Sequence, residues 1–392
     1  MPVALDGHVW GSAGRECPTR LVSAKQYGMG GSERPYQKTT SVRLGGAEPN
    51  GTRNTLWDVA VEPTPVAANY GAGDAETTPD PSLEGGEETY SMALIEPRPR
   101  FGRVLVAMVT PFTDGGAVDY DQTAALADHL MTHGVEGIVV SGTTGESPTL
   151  KADEKLELFR VVKKTVGGRG SVLAGTSSYD TAESVELSQG AEKAGVDGLL
   201  CVTPYYNKPS QEGLYQHFKA IAEAVDIPIM LYGIPGRAIV NLEPSTVARL
   251  AEIPNIVAIK EASKNIEQVA QIAYDTPDSF LIYSGDDGMT LPMLAVGGCG
   301  VVSVTGHIIG AEIGEMIDAF HAGDHARALR LHTQSLALTK AIFSFPSPVP
   351  TKVALQTLGI MKNSAVRLPH VPPTAAERAS IEDALRRYGL TS

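Results

Sequence analysis

Ile256-Val257-Ala258-Ile259-Lys260-Glu261-Ala262-Ser263 opens with an unbroken apolar run and closes it with a lysine. A run of this length, rich in β-branched residues, reads as a strand covered on both faces, as in a parallel sheet with helices packed on it. Lys260 at its end is unusual. An ammonium group held dry is costly. Burial lowers the pKa of a lysine and leaves part of the population as free amine, a nucleophile toward carbonyl carbon. A lysine whose head reaches water past the strand end would do none of this, so the flanking segments must decide.

Outward from this strand the chain repeats one pattern. Short apolar segments fall at residues 104–110, 137–141, 171–176, 198–203, 228–233, 256–260, 280–284 and 300–304. Between them lie amphipathic stretches, among them 120–133, 153–166, 181–194 and 211–225, with apolar residues every three or four positions. Gly134 and Gly195 follow two of these stretches, where a left-handed cap ends a helix. Strand–helix alternation requires parallel strands, and about eight such units close a (β/α)8 TIM barrel with helices outside. Residues 99–323 are therefore expected to form a barrel catalytic domain, and 324–392 a C-terminal helical region. An open doubly wound sheet competes, but Thr110-Pro111-Phe112-Thr113-Asp114-Gly115 is not the glycine fingerprint such a sheet carries after its first strand.

Residues 1–98 are of another kind. They are rich in Gly, Pro, Thr, Ser and Glu and show no sustained period. Their apolar content is too low to offset chain entropy, so a disordered extension is expected. It could be a regulatory tail, an arm around a neighbouring subunit, or a segment without function. Its acidic residues argue against a transit peptide, and Met92-Ala93-Leu94-Ile95 would serve as a native start.

Composition excludes several classes. The 392-residue chain carries a formal charge of -13, which disfavours nonspecific nucleic-acid binding. Cys17, Cys201 and Cys299 are scattered, without disulfide or metal-ligand spacing, so a reducing, cytoplasmic setting is expected. No signal peptide opens the chain and no apolar stretch reaches membrane-spanning length.

In a barrel of this kind the active site lies at the C-terminal ends of the strands. There the chain places Ser141-Gly142-Thr143-Thr144-Gly145-Glu146, Thr203-Pro204-Tyr205-Tyr206-Asn207-Lys208, Tyr232-Gly233-Ile234-Pro235-Gly236-Arg237, Lys260 and Ser284-Gly285-Asp286-Asp287. Gly142 and Gly145 allow the amides around Thr143 and Thr144 to face an anion; a plain turn would use the same residues. Tyr232 ends an apolar run, as a buried tyrosine with a usable hydroxyl would, or one that only packs. Arg237 can fork onto a carboxylate or pair with a surface acid. Asp286 and Asp287 have no histidine or further acid at useful spacing, and His307 stands alone, so no metal is expected.

Taken together and in this order, these motifs resemble the dihydrodipicolinate synthase family of pyruvate-dependent class I aldolases, from about Phe101 to Leu390. Segment 205–215, Tyr205-Tyr206-Asn207-Lys208-Pro209-Ser210-Gln211-Glu212-Gly213-Leu214-Tyr215, belongs to the same set. The resemblance implies that Lys260 forms a covalent Schiff base with pyruvate, with no separate cofactor. The resulting enamine would attack aspartate semialdehyde, and the adduct would cyclise and release the lysine, a step of lysine and diaminopimelate biosynthesis. It implies a proton relay of Thr143, Tyr206 and Tyr232, a pyruvate carboxylate clamp at Thr144, backbone positions near the site at Gly285 and Val302, and Arg237 as receiver of the aldehyde substrate's carboxylate. Tyr206 would reach into a neighbouring subunit's site, so a homo-oligomer is implied, a tetramer built from dimers. Sugar-acid and N-acetylneuraminate lyases share much of the pattern but generally lack the arginine after Pro-Gly, so Arg237 favours the synthase reading.

The chain departs from the family in places. Gly233 stands where asparagine is frequent, Ala238-Ile239 where threonine-glycine is frequent, and Ser347 where some members have asparagine. Lysine-inhibited members bind that amino acid with residues matching Ser147, Glu183 and Tyr205, plus histidines and an asparagine. This chain has Ala152, Lys155 and Tyr179 at those last positions. A cation at Lys155 would repel the ligand's ammonium groups, so weak or absent inhibition by lysine is expected.

Overall fold

A computed structural model describes residues 99–392. The expectations placed on residues 1–98, disorder and a start at Met92 included, lie outside the described residues. Eight strands run β1 Val104–Ala107, β2 Gly137–Val140, β3 Ser171–Gly175, β4 Gly198–Val202, β5 Ile229–Gly233, β6 Ile256–Glu261, β7 Leu281–Ser284 and β8 Gly300–Ser303. All neighbours are parallel, and β1 pairs with both β2 and β8, so the sheet closes into a barrel. The helices are α1 Tyr120–Thr132, α2 Ala152–Val166, α3 Thr181–Lys193, α4 Gln211–Ala222, α5 Pro235–Ala238, α6 Pro244–Ala251, α7 Ile266–Asp275, α8 Thr290–Leu294, α9 Gly306–His321, α10 His325–Ile342, α11 Val349–Thr357 and α12 Ala375–Tyr388.

The helix starts follow side-chain chemistry. Asp119, Asp180, Ser210 and Asn265 each accept a hydrogen bond from a first-turn amide of α1, α3, α4 and α7, satisfying donors that a helix leaves unpaired. Gly134 and Gly195 have positive φ just beyond α1 and α3, as expected. The first strand is shorter than its apolar run. Pairing stops at Ala107, and Thr110 instead donates its hydroxyl to the Gly145 carbonyl at 2.6 Å. That contact draws the β1 loop against the loop after β2.

Alternation along each strand divides the core in two. Leu105, Val139, Leu173, Leu200, Met230, Ala258, Tyr283 and Val302 fill the barrel interior. Their alternates, such as Ile138, Val140, Val172, Leu199, Leu231 and Ile259, pack outward under the helices. Each fully buried leucine contributes roughly 1.5–3 kcal/mol of transfer free energy. α10 packs on α9 and α12, beyond the barrel.

Strand β6 breaks the alternation, and this aims the lysine. Ile256 packs among the helix-facing residues. In a regular strand residues 256, 258 and 260 share a face, which would turn Lys260 away from the barrel. The register against β5 slips between Ile229↔Ile256 and Met230↔Ala258. Beyond this bulge Ala258 faces the interior, and Lys260 lies beside Tyr232 on one side and Tyr283 on the other. Bulges of this sort re-aim side chains beside functional sites.

Candidate active site

Lys260 is 5% exposed, and its amine lies 4.2 Å from the centre of the Tyr232 ring. Among the described residues no carboxylate forms an ion pair with it. Burial is the dominant influence and pulls its pKa down to about 7; the Asp287 carboxylate pushes it back up and the Arg237 guanidinium presses it further down. One pKa unit corresponds to about 1.4 kcal/mol, so the site disfavours the ammonium form by several kcal/mol. A substantial fraction is free amine near neutral pH.

Tyr232 is 4% exposed, and Thr143 lies beside it in the same cavity wall. Burial raises the phenol's pKa to about 12, with the Thr143 hydroxyl and the Arg237 charge lowering it. The phenol therefore keeps its proton and can pass it along a chain of hydroxyls. Both residues line a cavity of about 210 Å³ that also takes in Arg237 and Tyr205.

The loop after β2 supplies the threonines. Ser141 and Glu146 hold left-handed φ values of 58° and 56° at its two ends. A Cβ at Gly145 would sit 3.1 Å from the Met108 carbonyl and 3.2 Å from the Ser141 backbone, so a side chain there would need both segments to give by a few tenths of an ångström. Gly145, Glu146 and Ser147 donate back to Gly142 and Thr143 carbonyls. The Thr143 and Thr144 amides make no hydrogen bond among the described residues, which leaves them available to an anion. Thr144 itself is 5% exposed and is not among the residues lining the cavity.

Gly285 is tight for another reason: a Cβ would come within 2.6 Å of the Ala262 Cβ and 3.2 Å of the Lys260 Cε. The absence of a side chain is what lets the lysine stem lie against the β7 loop. Val302 sits on the barrel floor at 1% exposure. Arg237 is exposed on the single-turn helix α5 and faces the cavity mouth. Tyr206 is not brought together with these groups. It is 86% exposed, with φ of 74°, and is not among the residues lining the cavity. A bulky residue held at positive φ is uncommon and strained.

Two carboxylates exceed what the sequence reading made of them. Asp287 is buried and accepts hydrogen bonds from the Ser303 hydroxyl and from the Val304 and Thr305 amides, while burial raises its pKa. Its charge also acts on Lys260 and raises that lysine's pKa. Glu146 is fully buried against Lys352, which the sequence reading did not single out. The signal was present: Lys352 sits inside Val349-Pro350-Thr351-Lys352-Val353-Ala354-Leu355, every residue of which is buried. Both ring nitrogens of His307 are engaged by the backbone: Nδ1 donates to the Val304 carbonyl and Nε2 accepts from the Val109 amide. Among the described residues no group of three His, Cys, Asp or Glu could hold a metal ion, and no helix is long and apolar enough to cross a membrane.

A neutral lysine beside a proton-carrying phenol, with amides free to hold an anion, is equipped to condense with a 2-oxo acid. On this barrel it marks a lyase of the class I aldolase type. Comparison with known proteins narrows the class: residues 100–388 match the model of the dihydrodipicolinate synthetase family, and the chain belongs to that family. The 4-hydroxy-tetrahydrodipicolinate synthase of Cyanothece sp. is 54% identical over 291 residues, covering 74% of this chain and 99% of that one. The enzyme of the same name from Desulforudis audaxviator is 54% identical over 290 residues, 74% and 98% of the two chains. Among solved structures, a dihydrodipicolinate synthase from Bacillus anthracis superposes with a TM-score of 0.72 at 49% identity, covering 73% of this chain and 98% of that one. The Cyanidioschyzon merolae enzyme with lysine bound gives 0.73 at 48%, covering 74% and 99%. These relatives favour the synthase reading over a sugar-acid or N-acetylneuraminate lyase.

Proposed function

We propose that this chain condenses pyruvate with aspartate semialdehyde to give 4-hydroxy-tetrahydrodipicolinate, through a Schiff base on Lys260. The observation that carries the reading is the lysine amine held out of water, near-neutral in pKa, over the ring of Tyr232. The free amine adds to the ketone carbon of pyruvate while the pyruvate carboxylate takes the open amides of Thr143 and Thr144. Thr143 and Tyr232 carry a proton to the departing hydroxyl, and water leaves to give the iminium. Loss of a methyl proton to the same relay gives the enamine, whose carbon adds to the aldehyde of the second substrate. Arg237 at the mouth receives that substrate's carboxylate. The relay returns its proton to the aldehyde oxygen, which becomes a hydroxyl; the amine of the semialdehyde then attacks the iminium carbon, the bond from that carbon to the Lys260 nitrogen breaks, and the ring closes as the lysine leaves as free amine. Neither a metal nor an organic cofactor enters these steps.

The exposure of Tyr206 supports a homo-oligomer in which this tyrosine completes the relay of a neighbouring subunit; we take the assembly to be a tetramer built from dimers, working in the cytoplasm. The test is incubation with pyruvate and borohydride, followed by mass analysis. One reduced pyruvate should appear on Lys260, and turnover should be found with aspartate semialdehyde. No adduct would remove the Schiff-base chemistry; an adduct with turnover only on a sugar acid would replace the second substrate.

A further inference from the structure

Glu146 joins the catalytic loop to the far end of the chain. Its side chain is fully buried, and so is that of Lys352 on α11. One Glu146 oxygen accepts from the Lys352 ammonium at 2.6 Å and the other from the Arg367 amide at 3.0 Å. Lys352 also donates to the Ala365 carbonyl at 2.7 Å and lies 4.2 Å from the centre of the Phe112 ring. The Arg367 guanidinium covers the same ring at 4.5 Å, grips Glu154 with two nitrogens, and donates to the Gly116 and Thr149 carbonyls. The C-terminal segment thereby holds the loops after β1 and β2 together.

The point of attachment matters. Glu146 is in a left-handed conformation, and its amide donates to the Thr143 carbonyl at 3.1 Å. A non-glycine residue does not stay at such a φ without support from its surroundings. Release of the Glu146 carboxylate would let that turn relax, and Thr143, which lines the cavity wall with Tyr232, would move with it. A buried ion pair is also a poor choice for stability alone, because an apolar pair of similar volume often does as well or better.

We propose that Glu146 and Lys352 are positioning residues for the reaction: the buried pair clamps the 141–147 loop so that Thr143 stays in line with Tyr232. Neither touches substrate. The idea deepens the Schiff-base reading and rests on it.

The experiment is the Glu146→Gln/Lys352→Met double variant, beside Glu146→Gln alone and the wild type. The double variant buries no lone charge and should melt close to wild type. Its kcat should nonetheless fall roughly 10- to 100-fold, the scale of a displacement of about 1 Å at a reacting group. KM for pyruvate should change far less, and borohydride should still trap pyruvate on Lys260, more slowly. Wild-type kcat in a double variant of restored stability would overturn the proposal, since the pair would then serve the fold only. Should the double variant fail to fold, Glu146→Gln alone decides. An amide NH2 there must face either the Lys352 ammonium or the Arg367 amide, so one of the two clamps opens and kcat should fall selectively; unchanged kcat overturns the proposal. A wild-type adduct with unaffected variants sinks only this inference, whereas no adduct in the wild type sinks the Schiff-base reading and this inference with it.

Discussion

Lys260, at the barrel mouth, and Lys352, in the C-terminal helical region, are both withdrawn from solvent, at 5% and 0% exposure, and each lies 4.2 Å from the centre of an aromatic ring. They differ in what faces the ammonium. Lys352 has a carboxylate at 2.6 Å and a backbone carbonyl at 2.7 Å. Lys260 has neither among the described residues, only the more distant charge of Asp287. Burial lowers both pKa values, to about 8 for Lys352 and about 7 for Lys260. At Lys352 the charge of Glu146 and its hydrogen bond oppose the lowering. Depth alone therefore does not make a lysine reactive. Reactivity needs burial beside an open cavity, without a committed partner, so that the lone pair is both available and reachable.

The largest test of this contrast is to remove each amine in turn. Lys260→Ala should abolish turnover and the borohydride adduct while leaving the melting temperature near that of the wild type, because no buried partner is stranded. Lys352→Met should lower stability first, with turnover reduced through the released loop rather than through loss of the reacting amine. It leaves Glu146 as an unpaired buried charge, and breaking such a pair costs about 3–5 kcal/mol, visible as a lower urea midpoint. If Lys260→Ala unfolds the protein while Lys352→Met does not, the division into a reactive lysine and a clamping one is wrong. Next in size is Tyr232→Phe, which keeps the ring under the amine but removes the relay hydroxyl. Its kcat should drop by ~10²–10⁴, the usual contribution of general acid–base catalysis. A variant as fast as the wild type would take Tyr232 out of the relay.

The two lysines also mark how far the sequence could be read. The fold was legible because eight apolar runs separated by amphipathic stretches permit few other architectures. Lys260 was legible because it ended such a run at the catalytic end of the barrel. Two things were not. The bulge in β6 has no marker such as glycine or proline, yet without it the side chain would face the helices. The partner of Lys352 lies 206 positions away, and no local period can announce a pairing across that span. Tyr206 was assigned to a neighbouring subunit's site by resemblance alone; the structure adds only that it is exposed and does not line the cavity.

A smaller effect concerns pH. With the Lys260 pKa at about 7, free amine prevails above that pH and ammonium below it. The kcat/KM for pyruvate should therefore rise with pH through an acid limb near 7. The Asp287 carboxylate favours the ammonium and holds that limb up. Asp287→Asn removes the charge and should move the limb to lower pH, by about one unit or less. A shift to higher pH would mean that Asp287 does not act on the amine through its charge.

The smallest expected effect is none at all, and a third lysine produces it. Lys155 lies in a second cavity, lined also by Ser147, Tyr179, Glu183 and Tyr205, which meets the catalytic cavity at Ser147 and Tyr205. It stands between the other two: burial lowers its pKa, and the Glu183 carboxylate raises it again. Glu183 is the anion that an incoming amino acid's ammonium would need, and Lys155 already draws on it. A ligand with two ammonium groups would have to displace that attraction and meet a like charge as well. The synthase from Cyanidioschyzon merolae has been solved with lysine bound. For this chain, millimolar lysine should leave the rate nearly unchanged, and Lys155→His, which lightens the positive charge at neutral pH, should increase sensitivity rather than reduce it. Strong inhibition of the wild type by low lysine concentrations would show that Lys155 can turn aside and that a half-buried, half-paired lysine is no barrier.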